Sequence, residues 1–358
     1  MDRQQAHPAR VIAIFGSGET SPTMTSVHKE LAARIGNPRP TAILLDTPFG
    51  FQPNADDLVA RITDYFRQHV GLEITLASLR HSGRATAPEL EQFLARLSEA
   101  NYVFAGPGSP TYALRHWRHT GVRERLVEKL ALGGCVVFAS AAAIGLGAYA
   151  LPVYEIYKVG EDPSWTPGLD VLGQIGVRCA VIPHYNNQEG GTHDTRFCYM
   201  GEARLRVLES MLPDDLLILG VDEYTACIID VDAQSVTVRG RGGVTVRRRG
   251  SERVWKRTTF SLSELQDGSR LDGLVATIVE MEGGRQERFA DIASAGEEEA
   301  VRVRGSVAPL VELLVSLRDE ARRERRFNDA DRIRAILAEC GVEVQDTPSG
   351  TAWAPARA

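Results

Sequence analysis

The chain has 358 residues, enough for one large domain and a smaller one, and its 43% apolar content is that of an ordinary globular protein. Its net charge of −6 excludes a general polyanion binder. Five scattered cysteines (Cys135, Cys179, Cys198, Cys227 and Cys340) form no C-x-x-C pair, which argues against a disulfide framework or a cysteine zinc site and for a reducing, cytoplasmic setting.

The opening MDRQQAHPAR carries no apolar signal stretch. Val11 to Phe15 reads as a strand running into the loop GSGET. Ala42 to Leu45 reads as a second strand, and Asp56 to Gln68 has helical spacing with Leu58, Ile62 and Phe66 on one face. A third strand is expected at Leu72 to Leu76, a helix at Ala87 to Leu97, and a fourth strand at Tyr102 to Ala105, ending in GPGSP. One long helix from Tyr112 to Leu132 precedes a strand at Cys135 to Phe138, and Cys179 to Ile182 and Leu217 to Val221 read as later strands. The uncharged run 130–154 reads as strand, tight turn and buried helix rather than a bilayer span, so no membrane partner is expected.

Alternation of this kind forces crossover connections. The expected fold is therefore α/β, a mostly parallel doubly wound sheet, with a small antiparallel extension and a C-terminal helical tail. The expected domains are 1–230, a β extension and linker over 231–303, and a tail over 304–358. SVTVRG, GVTVRR and RVWKRTTF supply the antiparallel runs, and Leu310, Leu313, Leu314 and Leu317 begin the helical tail pattern. Loops starting at Gly16, Asp46, Gly106, Ala139 and Pro183 would open on the carboxyl edge of the sheet, where such folds bind ligands.

Three loops on that edge carry chemistry. FASAAAIGLG places Ser140 between a strand and a helix with only small neighbours, the layout of a nucleophile elbow; the same pattern also occurs as plain packing. PHYNNQEGGTHDTR places His184 directly after a strand, a position from which an imidazole can take a serine proton; His193 is a second candidate base. His184, Glu189, His193 and Asp194 are also a set of potential metal ligands, although their spacing matches no metal motif, and no cofactor is expected. GPGSPT, at Gly106 to Thr111, is a glycine turn that can aim backbone N–H groups at an anion.

Together these residues resemble the serine peptidases of the dipeptidase E and cyanophycinase group, whose fold looks like the class I glutamine amidotransferases. The resemblance runs over roughly residues 10–230. It rests on Ala105 to Ser109, on Phe138 to Ala142, on Pro183-His184-Tyr185 with Thr195-Arg196, and on Gly220 to Ala226. It implies Ser140 as nucleophile, His184 as general base, an intervening acid at Glu155, and an oxyanion hole from the N–H groups of Gly108 and Ala141. Ser109, Arg196 and Glu223 would contact or orient substrate, with Arg196 facing a substrate carboxylate. The chain departs from the family at Phe138, Ala142 and Pro107, where the elbow and turn usually carry glycine.

Residues 314–353 resemble the terminal segment of cysteinyl-tRNA synthetases, through Arg318, Arg322, Phe327, Ala330, Asp331, Ile333 and Arg334 and the string Asp346, Thr347, Gly350, Thr351, Trp353. The synthetase motifs H-I-G-H and K-M-S-K-S are absent, so tRNA charging is not expected. The basic run Arg239–Arg257, with Trp255 interleaved, reads either as a solvated sheet face or as an RNA contact.

The leading functional expectation is a serine hydrolase of an amide or peptide bond in a small peptide, aspartyl or aminoacyl compound. The alternative is a silent hydrolase fold that binds tRNA or an aminoacyl compound through its tail. The partner list is completed by tRNA, through 304–358 and Arg239–Arg257, and by a second copy of the chain as a homodimer.

Overall fold

The structure is a computed structural model that describes residues 9–35 and 40–266 and, beyond 314, residues 315, 318, 319, 322, 330, 333, 334, 337, 338, 342–347 and 350–355. The chain divides into two compact units, Met1–Asp267 and Gly268–Ala358.

The first unit opens with β1 (Arg10–Phe15), α1 (Pro22–Arg34), β2 (Ala42–Leu45), α2 (Ala55–Tyr65), β3 (Ile74–Ala77), α3 (Ala87–Glu99) and β4 (Tyr102–Ala105). It continues through α4 (Pro110–Trp117), α5 (Val122–Leu132), β5 (Gly134–Ala139) and α6 (Ala141–Ile144). Local sequence explains the helix starts. Thr86 and Glu89 close a capping box on α3, with the Glu89 carboxylate accepting from the Thr86 N–H at 2.7 Å. Ser109 caps α4 ahead of Pro110. The long helix expected over Tyr112 to Leu132 is broken instead, because Gly121 (φ 80°) turns the chain and starts α5.

Strands β3-β2-β4-β5-β1 lie side by side and run parallel, so their carboxyl ends share one edge. After α6 the chain forms β6 (Tyr149–Ala150), β7 (Thr166–Pro167), β8 (Cys179–Ile182), α7 (Gly201–Ser210) and β9 (Leu217–Val221). The free side of β1 is taken by β10 (Thr225–Asp230), antiparallel, followed outward by β11 (Ser235–Gly240) and β14 (Thr259–Ser261). With that edge occupied, β8 and β9 do not flank β1. They pair in parallel with each other in a second sheet, with β6 and β7 beyond β8 and the hairpin β12 (Val244–Arg248) and β13 (Ser251–Trp255) beyond β9. The α/β class with parallel central strands is as expected from the sequence, but it is built as two sheets. The antiparallel runs from 235 to 261 continue both sheets rather than standing apart as an extension.

Side chains of β1 and β5 alternate between two cores, as a strand period of two requires. Ile12, Ile14, Val136 and Phe138 face one core with α3, α4 and α5; Val11, Ala13, Phe15, Cys135 and Val137 face the other with α1 and α2. No helix is long and apolar enough to cross a membrane among the described residues.

In the second unit, Val315, Arg318, Ala330, Ile333 and Leu337 are buried at helical spacing. β15 (Val342–Thr347) and β16 (Gly350–Pro355) pair antiparallel as a two-stranded hairpin sheet. Thr351 joins hairpin to helix: its N–H donates to Asp319 at 3.0 Å, its hydroxyl also donates to Asp319, and it accepts from Arg318 at 2.6 Å. Of the β extension and linker expected over 231–303, residues 267–303 lie outside the described residues, as does the stripe Leu310, Leu313, Leu314 and Leu317.

His28 on α1 is fully buried between the carbonyl of Glu19 (2.8 Å from Nε2) and the hydroxyl of Tyr102 (2.7 Å from Nδ1). Burial lowers its pKa from 6.5 to about 4, against the opposing pull of the Glu19 carbonyl. Between these values the unfolded chain binds a proton that the folded chain refuses, so stability falls as pH drops from about 6.5 to about 4, by roughly 3 kcal/mol. Urea unfolding across that range is expected to show this slope, and His28→Phe is expected to flatten it.

Candidate active site

The carboxyl edge of the main sheet gathers the loops after β1, β4 and β5, and the loops after β8 and β9 reach the same place. The Phe15–Gly16 peptide organises them. The Phe15 carbonyl accepts the N–H of Ser140 at 3.1 Å, and the Gly16 carbonyl accepts the N–H of His184 at 3.2 Å. The Gly16 N–H donates to Thr225 O at 2.9 Å, just past Glu223. Gly16 is needed for this approach, since a Cβ there would lie 2.0 Å from the Asp222 carbonyl oxygen.

Ser140 sits between β5 and α6 at φ 49°, ψ −116°, a backbone state that costs a non-glycine residue about 1–3 kcal/mol. The turn is closed by the Ala142 N–H donating to Gly106 O at 3.3 Å. Ala141 and Ala142 are buried, so a larger residue would not fit this turn. Phe138 does not crowd the site. It is a fully buried strand residue whose ring packs 5.7 Å from Trp117 in the core, which explains how the position tolerates an aromatic side chain.

The Ser140 hydroxyl lies 2.9 Å from His184 Nε2, and His184 Nδ1 lies 2.9 Å from Glu223 Oε1. A carboxylate only accepts, so Nδ1 carries the proton and Nε2 of the neutral ring accepts from Ser140. His184 also holds a positive φ of 48°. Glu223 is fixed by neighbours that the sequence reading left unassigned. Asn187 Nδ2 donates to its Oε1 at 3.1 Å, and its own N–H donates to Asn186 Oδ1 at 2.8 Å. The hydrogen bond from His184 is the largest influence holding the Glu223 carboxyl below the usual carboxylate range, ahead of burial, which works the other way.

The expected acid, Glu155, is elsewhere. It lies on the single turn Glu155–Val159, where Oε2 accepts from the Thr111 hydroxyl at 3.0 Å, and it makes no bond to His184. Spacing after Ser140 pointed to it; the carboxylate that contacts His184 comes instead from just past β9, from Glu223, which was expected at the substrate. Arg196 does not face the site as a free cation either: it is exposed and paired in bidentate fashion with Asp194, at 2.9 and 2.8 Å. Ser109 serves as the cap of α4, with Oγ accepting from Tyr112 N–H at 3.2 Å and its N–H donating to Pro48 O at 2.8 Å.

Gly108 (φ 140°) and Ala141 have no hydrogen-bond acceptor for their N–H groups among the described residues. The Gly108 turn is glycine-only on two counts, its φ and a virtual Cβ 2.0 Å from Pro48 O. Glu19, from GSGET, is a further residue that the sequence reading missed. It is 8% exposed, with burial raising its pKa and its own N–H and the charge of His184 opposing that rise. Its only sequence signal was a carboxylate in a glycine loop at a strand end. Among the described residues no group of three or more His, Cys, Asp or Glu side chains converges as a metal site.

No known family model matches the sequence. Over 177 residues, 49% of the chain, it is 31% identical to the peptidase E of Streptomyces coelicolor, and covers 66% of that protein. A segment of 59 residues is 48% identical to the cysteine–tRNA ligase of Thermococcus onnurineus, of which the chain spans 10%. The crystal structure of a peptidase from an acI-B1 Actinobacterium superposes with a TM-score of 0.58 over 72% of this chain and 98% of that one, at 20% identity, a likeness of fold. About half of the chain is thus similar to peptidase E, of which it spans less than two thirds, and a short segment is similar to cysteine–tRNA ligases.

Gly16→Ala is expected to push the Asp222–Glu223 turn away from β1 and to destabilise the protein by about 2–3 kcal/mol, measured by urea unfolding. A substitution that leaves the midpoint unchanged would mean that this close approach does not organise the site.

Proposed function

We propose that the chain is a serine hydrolase of peptide or related amide bonds, with Ser140 as nucleophile, His184 as general base and Glu223 as the residue that orients it. The observation that carries this reading is the pair of 2.9 Å contacts from Ser140 to His184 and from His184 to Glu223, at a serine held with positive φ on a strand-to-helix turn. As Ser140 Oγ attacks the carbonyl carbon, Nε2 takes its proton, and Glu223 stabilises the imidazolium through Nδ1–H. The N–H groups of Gly108 and Ala141 receive the oxyanion. Collapse of the tetrahedral adduct breaks the C–N bond, His184 returns the proton to the leaving amine, and water then repeats the cycle on the acyl-serine.

Peptides are favoured as the substrate class by the homology to peptidase E. An aspartyl preference through Arg196 requires a substrate carboxylate to displace Asp194 from its bidentate pair. The tail pattern at 314–353, together with the likeness of a 59-residue segment to cysteine–tRNA ligases, favours a second reading in which the C-terminal unit contacts tRNA and the substrate is an aminoacyl compound. Retention on immobilised tRNA that weakens steeply with salt is the expected outcome of that reading.

The enzymatic reading is tested with a panel of dipeptides and short peptides, scored by released amino groups. Ser140→Ala and His184→Ala are each expected to lower kcat/KM by about 10⁴ or more, and Glu223→Gln by about 10²–10⁴. Glu155→Gln is expected to cost less than about tenfold, since it holds no proton of the relay. A larger loss from Glu155→Gln than from Glu223→Gln would return the acid to the position expected from sequence.

A further inference from the structure

A second concavity opens on the same sheet edge, beyond β4 and β2. It has a volume of about 770 Å³ and lies at the carboxyl ends of β2 and β3, walled by α3 and the first turn of α4. It is joined to the oxyanion loop. Tyr112, on its wall, lies in the first turn of α4, where its N–H donates to the Ser109 cap, and Gly50 and Phe51 lie just past Pro48, whose carbonyl accepts the Ser109 N–H.

Its chemistry differs from that around Ser140. Phe51 is 51% exposed and packs on Tyr112 with ring centroids 5.0 Å apart, so an aromatic shelf faces solvent. Tyr112 is itself fixed, its hydroxyl donating to Arg80 O at 2.7 Å. Two guanidinium groups on the walls, Arg84 and Arg96, have no carboxylate partner among the described residues; Arg96 donates to the Leu76 carbonyl. Arg84 lies close enough to Tyr112 for its charge to act on the phenol. The nearby acids are engaged: Asp46 and Asp56 hold Arg80, and Glu89 accepts from Thr86. An exposed aromatic shelf beside unmatched guanidinium groups suits an aromatic side chain next to a carboxylate.

We infer that this cleft receives the free carboxyl end of a peptide substrate, with its terminal carboxylate on Arg84 and Arg96 and an aromatic terminal side chain on Phe51. Strand spacing sets the register. From β5, which carries Ser140, to β3 is three interstrand steps, about 14 Å, the reach of about four extended residues. The leaving segment would then be a short peptide tail rather than a single amino acid. Only that register rests on Ser140 being the nucleophile; the binding chemistry of the cleft does not.

The test is calorimetric binding to the Ser140→Ala protein, so turnover plays no part. Ala-Ala-Ala-Phe with a free carboxyl is expected to bind at least tenfold more tightly than its amide and than Ala-Ala-Ala-Ala. Arg84→Gln is expected to remove the preference for acid over amide, and Phe51→Ala the preference for Phe over Ala. Both positions are exposed, and an unchanged melting temperature confirms folding. Equal binding of acid and amide, preferences that survive both substitutions, or no saturable binding of the acid would overturn the inference. So would tighter binding of adenosine monophosphate than of the peptide with the same dependence on Arg84 and Phe51, which would reassign the cleft to nucleotides. Peptide binding with these preferences in an otherwise intact protein that hydrolyses nothing would sink the nucleophile assignment and leave this cleft standing.

Discussion

Everything at the candidate site hangs on two consecutive residues, Phe15 and Gly16, at the end of β1. Their two carbonyls and the Gly16 N–H hold the backbones of Ser140, His184 and Thr225, residues from three separate segments of the chain. A backbone tripod of this kind fixes the spacing of the residues that carry the hydroxyl, imidazole and carboxylate before any side chain is considered. Side-chain bonds then only need to set rotamers, which Asn187 does for the Glu223 carboxylate while Asn186 holds the Glu223 backbone N–H. The absence of a Cβ at Gly16 is what lets the 222–225 turn come this close.

This explains why the carboxylate beside His184 comes from an unexpected part of the chain. Because β10 occupies the free edge of β1, the chain must turn back between β9 and β10 directly over Gly16, and the residue at that turn is Glu223. Glu155 leaves the sheet edge earlier and ends against Thr111. The positive φ values of Ser140, His184 and Tyr224 are local strain concentrated at this junction and held by the surrounding bonds.

Much of the first unit was legible in the sequence. The alternation of short apolar runs with amphipathic segments located β1 to β5 within a few residues, and the small residues after Ala139 marked the turn at Ser140. The pairing of strands was not legible. Nothing in the composition of Cys179–Ile182 or Leu217–Val221 says which sheet they join, since a buried parallel strand looks the same in either. The break between α4 and α5 depended on Gly121 adopting a left-handed conformation, which spacing alone does not predict. The basic run Arg239–Arg257 looked like a free cationic face, yet Arg247 is buried among Glu202, Glu209 and Glu252. Arg239, Arg249 and Arg253 also have carboxylate partners. Apart from Glu252 and Glu264, those partners are remote in sequence, so only the fold reveals most of the neutralisation.

The central claim is that Ser140 is made nucleophilic by His184 across the 2.9 Å contact. The most direct measurement is to react the folded protein with a fluorophosphonate and locate the adduct by peptide mass spectrometry. The account predicts a single stoichiometric adduct on Ser140 that does not form in His184→Ala. An unmodified Ser140, or an adduct that forms as fast without the imidazole, would contradict it.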